Sequence, residues 1–395
     1  MTSALGPEYI QDPHSVHDWL RADHPVAEVQ MPDGMRAWLV TRYADVRAAL
    51  ADPRLVKDFR KLFDSDPPEW QSAAEFVLAG HMLNLDPPDH ERLRRLVNKA
   101  FTSRRVEQLR PRVAEITASL LDALSGVAEA DLLAAFAFPL PVIVISELLG
   151  VPAEDRDDFR AWSAAAVSSA GDAAEITGAA EAMIEYFTAL LAAKRAAPAD
   201  DLLSALLQAQ EAGDRLSEVE LLAMTFLLLV AGHETTVNLI ASGTLALLLN
   251  PAQRDRLLAD RSLLPGAVEE LVRYVSPVNN ATARFTIAPT EIAGVTIPPG
   301  EVVLVALSSA NRDPARYASP DTLDLTRDTS GHLAFGHGIH YCVGAPLARM
   351  EAVIALGALL DRFPAMTLAV PPESLRWRFS TLIRGLETLP VRLRP

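Results

Sequence analysis

The stretch FGHGIHYCVG, from Phe335 to Gly344, contains the only cysteine of the chain, Cys342. Three glycines and two histidines surround this thiol. Because glycine reaches backbone conformations that other residues avoid, the loop can bend sharply and turn several N–H groups toward one point. The segment APLAR then begins a helix at Ala345. Cys342 therefore lies just ahead of a helix N-terminus, where free N–H donors and the helix dipole favour a thiolate.

Four chemical roles are open for this thiol. It could be an inert buried side chain, although the glycines argue against that. A zinc site with His337 and His340 would crowd three ligands into one short loop, and the sequence offers no second ligand cluster. A nucleophile needs a base that the fold would have to supply. A thiolate ligand to haem iron needs one charged sulfur held rigidly by N–H donors.

Composition limits the class of protein. The chain has 395 residues, 50% of them hydrophobic, and a net charge of −15. This charge argues against nucleic acid or an anionic membrane as the main partner. A lone cysteine forms no intramolecular disulfide, the N-terminus lacks an export signal, and the longest apolar run, Leu221–Gly232, is shorter than the ~20 residues of a membrane span. We therefore expect a cytoplasmic protein with no membrane partner.

Periodicity predicts a mainly α-helical fold with small β-sheets, in one domain over residues 1–395. Helical spacing covers residues 105–124, 173–195, 217–249 and 345–362, and alternation typical of strands covers residues 26–42 and 281–307, with further strands near the C-terminus. Ser217 is a predicted N-cap, and Pro251 a predicted first helical residue. The Pro-rich region 61–89 has the length of a functional lid.

The sequence AGHETT, Ala231 to Thr236, interrupts the longest apolar helix. A zinc-protease motif H-E-x-x-H fails here because its second histidine position is Val237. The segment could be a polar contact with a neighbouring helix. However, burying the Glu234 carboxylate is costly unless the protein uses it.

Two further pairs have helical spacing. Glu270 and Arg273 lie one turn apart, a spacing that usually gives an exposed pair of little energetic value. Glu269 could begin such a pair instead of Glu270, but no arginine follows Glu269 three residues later. His90 and Arg94 share one face of a helix beginning near Pro88, which by itself is typical of a solvated basic helix.

FGHGIHYCVGAPLAR resembles the haem-binding signature of the cytochrome P450 superfamily: Phe335, Gly338, Cys342, Gly344 and Ala348 fit its pattern. AGHETT, EELVRY and the basic helix follow the same family in the expected order. The resemblance spans the chain and is closest to soluble bacterial members that hydroxylate macrolides, steroids and other secondary metabolites. It implies an α-rich triangular prism with a long central helix, and heme b (iron protoporphyrin IX) as cofactor.

The resemblance implies roles for individual residues. Cys342 would be the iron ligand, Glu234 and Thr235 the acid and alcohol of a proton relay, and Ala231 and Gly232 the small residues over the iron. Glu270 and Arg273 would form a buried structural pair. The haem contacts would be His90, Arg94, Arg284, Phe335, Gly336, His340, Cys342, Gly344 and Ala348.

The resemblance also implies two surfaces. A basic patch would receive a ferredoxin: Arg92, Arg95, Lys99, Arg104 and Arg105. An apolar pocket would hold a sizeable hydrophobic substrate: Phe76, Val77, Met82, Leu83, Leu228, Val278, Asn280, Leu382 and Ile383. Asn279 is a further candidate for orienting a polar group of that substrate.

The implied reaction inserts one oxygen atom of O2 into a C–H bond, with two electrons from NAD(P)H through ferredoxin reductase and ferredoxin, by a monomer. The chain has no strand–GxGxxG–helix unit for a nicotinamide or flavin. A peroxide-driven peroxygenase is the alternative, against which the Glu234–Thr235 pair argues. A haem or ligand sensor without turnover, and an interaction protein with an incidental thiol, are rivals from other classes. The sequence leaves the substrate and the oxidised carbon open.

Overall fold

The fold, taken from a computed structural model, is described for residues 3–63, 73–155, 162, 173–209 and 215–394. Helices dominate. In chain order the α-helices are α1 Pro7–Gln11, α2 Pro13–Asp23, α3 Tyr43–Ala51, α4 Ala73–Ala79, α5 Asp89–Ala100, α6 Ser103–Gln108, α7 Arg110–Ala123, α8 Pro139–Leu149, α9 Ala173–Ala196, α10 Leu202–Gln208, α11 Glu218–Leu249, α12 Pro251–Ala259, α13 Leu264–Val275, α14 Leu307–Ala310 and α15 Ala345–Arg362.

The strands are short. They are β1 Ser3–Ala4, β2 Val26–Gln30, β3 Arg36–Val40, β4 Leu55–Val56, β5 Glu129–Asp131, β6 Arg284–Thr286, β7 Thr290–Ile292, β8 Val295–Ile297, β9 Val302–Val305, β10 Thr367–Leu368 and β11 Pro390–Arg392. Six of them form a mixed sheet in the order β1-β2-β3-β9-β6-β4. A second sheet has the order β10-β11-β5, and β7 pairs with β8. The regions predicted from alternation therefore contain β2, β3 and β6–β9.

The central helix α11 is 32 residues long and buried along most of its length. Its start is fixed by a capping box, in which Ser217 and Glu220 satisfy each other's backbone N–H groups. It ends at Leu249, with Asn250 as the cap residue, and Pro251 opens the next helix, as predicted. It packs against α8, α13 and α15, and residues 227–229, just ahead of AGHETT, share one hydrophobic cluster with Leu347 and Met350 of α15.

One predicted helix is divided. The periodicity of residues 105–124 predicts a continuous helix, whereas the structure ends α6 at Gln108 and begins α7 at Arg110. Pro111 lies in the first turn of α7. Because proline has no N–H group and its ring crowds the preceding turn, the helix restarts there.

The predicted lid lies partly outside the described residues, since residues 64–72 are not described. The described remainder holds α4 and a short 3₁₀ turn at Met82–Asn84. Among the described helices, α11 alone is long and apolar enough to cross a membrane, but 78% of its apolar window is buried inside the protein. This agrees with its interpretation as a core helix.

Candidate active site

The cysteine loop has the sharp bends that its glycines predict. Gly336 and Gly338 both have φ near +74°, in the left-handed region. A Cβ atom on Gly338 would also lie 3.2 Å from the carbonyl oxygen of Leu50. The N–H of Cys342 donates to the carbonyl oxygen of Phe335 over 2.9 Å. This hydrogen bond closes the loop and fixes the cysteine backbone ahead of α15.

The Cys342 side chain has accessible surface although protein surrounds it, so the sulfur faces a cleft within the fold. Burial raises the pKa of the Cys342 thiol, and this effect exceeds the opposing effect of the Gly344 and Ala345 N–H groups and of Arg94 and Arg349. The N–H groups at the start of α15 therefore favour a thiolate, as predicted, but burial outweighs their effect on the pKa of Cys342. A metal cation bound to the sulfur would supply the missing stabilisation.

A charged cluster beside the loop escaped the sequence analysis. Glu269 of α13 accepts hydrogen bonds from Arg349 Nε at 2.6 Å and Nη2 at 2.9 Å, and lies 3.0 Å from His332 Nε2. The Arg349 guanidinium lies 4.4 Å from the centre of the Phe335 ring. Although burial acts to raise the pKa of Glu269, His332 and Arg349 lower it to about 2. The cluster braces the loop between α13 and α15.

A second cluster is rich in buried nitrogen atoms. His90 and His340 lie with their ring centres 4.3 Å apart. Both ring nitrogens of His90, Nε2 of His340 and Nε of Arg284 are buried and make no hydrogen bond to any residue that the structure describes. Arg94 Nη2 donates to the carbonyl oxygen of Tyr341 over 2.8 Å, next to the cysteine. Three side chains predicted to contact haem, His90, His340 and Arg284, therefore have buried nitrogen atoms that could donate hydrogen bonds to a bound group.

Burial also governs the charge of this cluster. It lowers the pKa of His90 and lowers that of Arg284 to about 10. Lys57, which the sequence analysis did not single out, is buried in the same region, and burial lowers its pKa far below the usual value. Lys57 Nζ donates to the Thr282 hydroxyl. Lys57 follows the short strand β4 and belongs to no motif, so no signal in the sequence could have identified it.

These features fit a haem group. Its carboxylates need the kind of buried donors that His90, His340 and Arg284 leave unpaired, and its iron needs the accessible sulfur of Cys342. Among the described residues, no group of three His, Cys, Asp or Glu side chains could hold a metal ion by itself. The zinc set of His337, His340 and Cys342 is therefore not formed.

The central helix has an accessible notch in its middle. Ala231 is exposed, and Val230, Gly232 and Thr235 are partly exposed, although most of the helix is buried. The Thr235 hydroxyl donates to the carbonyl oxygen of Ala231 over 3.2 Å. Gly232 also allows close packing, because a Cβ atom there would lie 2.7 Å from Cδ1 of Ile145. Its small size allows α11 to pack closely on α8.

Glu234 is buried and points to another face of the helix. Its Oε1 atom accepts a hydrogen bond from Arg378 and one from Asn238 Nδ2 at 3.3 Å. Its Oε2 atom lies 3.9 Å from His233 Nε2. The polar part of AGHETT is thus divided: the hydroxyl of Thr235 faces the notch, and the carboxylate of Glu234 faces the C-terminal segment.

Glu270 and Arg273 form a pair with no exposed side-chain surface. Arg273 donates from Nε to Oε2 at 2.6 Å and from Nη2 to Oε1 at 2.8 Å. Its remaining Nη1 donates to the carbonyl oxygens of Asn311 and Pro320. The pair therefore ties α13 to the segment that leads toward the cysteine loop.

The predicted basic patch is less uniform than its sequence. Arg92 forms an ion pair with Glu220, the acid of the capping box, and Arg105 pairs with Asp200 at 3.2 Å. Arg95 and Arg104 have exposed side chains, as does Lys99. The cationic surface available to a partner is therefore centred on these exposed side chains.

The predicted substrate residues fall into two groups. Val77, Met82 and Leu228 are buried in one hydrophobic cluster, against which Leu83 packs; Phe76 is partly buried. The other group consists of Val278 and Ile383, which form an isolated antiparallel β-bridge, with Asn280 and Leu382 beside them.

The amide of Asn279 does not fit a substrate contact. Its Nδ2 donates to the Tyr9 hydroxyl at 3.0 Å, and its Oδ1 accepts from Ser308 at 2.5 Å. Asn280 differs, because its Oδ1 is buried and makes no hydrogen bond within the described part of the chain. The interpretation of Asn279 as an orienting group is therefore corrected, and that of Asn280 remains.

Comparison with known proteins identifies the family. The family model "Cytochrome P450" matches residues 170–385. Cytochrome P450 107B1 of Saccharopolyspora erythraea is 55% identical, over 98% of this chain and 97% of its own length. Vitamin D(3) 25-hydroxylase of Pseudonocardia autotrophica is 50% identical, over 98% of this chain and 95% of its own length. The tirandamycin C-bound P450 monooxygenase TamI is 53% identical, with a TM-score of 0.91, covering 99% of this chain and 100% of that one.

The chain belongs to the cytochrome P450 family, and its α-rich fold with small sheets is the fold of that family. It is therefore a haem-dependent monooxygenase that uses O2 and redox partners on a hydrophobic substrate. The resemblance found in the cysteine loop is confirmed at the level of family, fold, enzyme class and haem cofactor.

Proposed function

We propose that residues 1–395 act as one haem domain, in which Cys342 ligates the iron of heme b. The observation that carries this proposal is an accessible thiol in a buried cleft close to unpaired nitrogens of His90, His340 and Arg284. These three side chains and Arg94 would bind the two carboxylates of the haem. Phe335, Gly336, Gly344 and Ala348 would pack around the sulfur side of the group.

The overall reaction inserts one oxygen atom into a C–H bond. A substrate R–H, one O2, two electrons and two protons give R–OH and one water. The haem supplies the oxidising chemistry when it is bound. The chain contributes proton delivery: Thr235 holds a hydroxyl at the notch of α11, and Glu234 is the acid through which protons arrive. Peroxide-driven turnover does not require two protons to be delivered to O2, so this requirement distinguishes the two reactions.

The proposed substrate is a sizeable hydrophobic molecule, such as a macrolide, a steroid-like compound or another secondary metabolite. Support comes from the apolar residues near Met82 and Leu228 and from the relatives, one of which hydroxylates vitamin D3 while another binds tirandamycin C. Asn280 Oδ1 is the polar atom that would orient this substrate, because it is buried without a hydrogen-bond partner among the described residues.

The proposed electron donors are NAD(P)H, a ferredoxin reductase and a ferredoxin. An acidic ferredoxin would be steered to the exposed cations Arg95, Lys99 and Arg104 on an otherwise acidic chain. Arg92 and Arg105 would act mainly by holding this surface through their ion pairs. We expect the protein to work as a cytoplasmic monomer.

The absorption spectrum of the reduced protein with carbon monoxide tests the proposal. We expect the long-wavelength band of thiolate-ligated haem, its loss in Cys342→Ser, and its retention in Ile339→Ala, an exposed residue of the same loop. NADPH-dependent product formed in a fixed ratio to O2 would then separate turnover from sensing. An unchanged spectrum in Cys342→Ser would overturn the assignment.

A further inference from the structure

The C-terminal residues 376–387 form a hairpin, here called the C-terminal hairpin, that touches the central helix. Arg378 N–H donates to the carbonyl oxygen of Gly385 over 2.8 Å, and Glu387 N–H donates to that of Arg376 over 2.9 Å. A Cβ atom on Gly385 would overlap the Asn238 side chain, coming within 2.8 Å of its Cγ. Glycine at this position therefore lets the hairpin reach α11 at Asn238.

Arg378 uses this approach to reach the Glu234 carboxylate. Its Nη2 atom donates to Glu234 Oε1 and lies 3.3 Å from Asn238 Oδ1. Asn238 Nδ2 in turn donates to the Glu234 backbone carbonyl over 2.7 Å and to Oε1 over 3.3 Å. Three side chains from two distant segments thus form one network around a single carboxylate oxygen.

Arg378 is the main positive charge that offsets the cost of burying the Glu234 carboxylate. The Glu234 side chain is only 6% exposed, and a buried carboxylate is costly without a cation. His233 is near, but burial lowers its pKa, which favours the neutral imidazole. The Arg378 side chain is 37% exposed, so it extends from the buried carboxylate to the surface of the protein.

Helix geometry separates this network from the notch. Residues four apart share a face of a helix, so Glu234 lies with Asn238 and Thr235 lies with Ala231. Glu234 is thus held on the hairpin side, and the Thr235 hydroxyl on the notch side. A proton from solvent would reach Glu234 beside Arg378 before it passes around the helix to Thr235.

We propose that Arg378 is a positioning residue for proton delivery: it holds the Glu234 carboxylate in place and ties the relay to the C-terminal hairpin. This inference rests on the proposed role of Glu234. The same hairpin carries Leu382 and Ile383, two of the proposed substrate residues, at its tip. A substrate bound at Leu382 and Ile383 would therefore contact the same hairpin that holds Glu234.

The test compares Arg378→Met, Arg378→Lys and Glu234→Gln in the haem-loaded protein with substrate, ferredoxin and reductase. The matched control is Arg376→Met, an exposed arginine on the same arm of the hairpin. The readouts are product formed per NADPH, peroxide released, the solvent deuterium isotope effect on turnover, and amide hydrogen exchange of residues 376–387. We expect Arg378→Met to lower coupling about tenfold and to raise the isotope effect. Arg378→Lys should restore most of the coupling, and Arg376→Met should behave as wild type.

The double variant Glu234→Gln with Arg378→Met decides how Arg378 acts. Because Arg378 is proposed to work through Glu234, the double variant should be no less coupled than Glu234→Gln alone, whereas independent effects would multiply. Faster amide exchange of the C-terminal hairpin in Glu234→Gln and in Arg378→Met would show, independently of turnover, that the Arg378–Glu234 contact holds the hairpin against α11. Normal coupling in Arg378→Met beside impaired Glu234→Gln would overturn this inference only. Normal coupling in Glu234→Gln would overturn the relay itself.

Discussion

Replacement of Arg273 by alanine should be among the most destabilising single changes in this chain. The side chain is fully buried and donates two hydrogen bonds to Glu270 and two to backbone carbonyls, at 2.6 to 3.0 Å. Removing one partner of a buried pair typically costs about 3–5 kcal/mol, because a buried charge loses its partner. The two carbonyl groups lose donors as well, at about 1–3 kcal/mol for each unsatisfied group.

Part of this cost is offset within the structure. Glu270 Oε1 keeps Arg327 Nε at 3.2 Å and the N–H of Asp324 at 3.1 Å. We therefore expect a net loss of about 4 kcal/mol in the free energy of unfolding, a large share of the ~5–15 kcal/mol typical of a folded protein.

Urea unfolding followed by far-ultraviolet circular dichroism measures this loss. The control is Arg392→Ala, which breaks an exposed ion pair with Glu129 at 2.7 Å and should cost at most about 1 kcal/mol. Should Arg273→Ala fail to fold, Glu270→Gln keeps the shape of the site and gives the same comparison. The reasoning is refuted if the Arg273 or Glu270 variant loses no more stability than Arg392→Ala.

Three further changes test other parts of the molecule. Thr235→Ala should lower product per NADPH about tenfold and release peroxide, because the notch loses its hydroxyl; full coupling would contradict the relay. The double change Arg95→Glu and Arg104→Glu should slow reduction by ferredoxin about tenfold at low salt, less at high salt, with substrate binding unchanged; equal rates at every ionic strength would remove these residues from the partner surface. Glu269→Gln should cost about 1–3 kcal/mol of stability at neutral pH, measured by urea unfolding. Because the pKa of Glu269 is depressed to about 2, its contribution is present above the unfolded value of ~4.3 and is lost as the pH falls toward 2, so the difference from wild type should shrink in acid; a constant difference would contradict the ion pair.

Short-range patterns in the sequence were sufficient for much of the fold. The helices α9, α11 and α15 begin and end within a residue or two of the predicted bounds, since helical periodicity, the Ser217 capping box and Pro251 act over a few neighbouring residues. The bends of the cysteine loop follow from Gly336 and Gly338 in the same way. Pro111, which divides α6 from α7, was a local signal that the periodicity concealed.

Contacts between segments that are far apart in the sequence could be identified only from the tertiary structure. Glu269 meets Arg349 over 80 positions of sequence, and Glu234 meets Arg378 over 144. Ion pairs and hydrogen bonds act over a few ångströms, whereas spacing along the chain reports only on neighbours within a turn or a strand. The charge state of Cys342 shows the same division. Its place before a helix follows from local sequence, but the burial that raises its pKa comes from the protein packed around it.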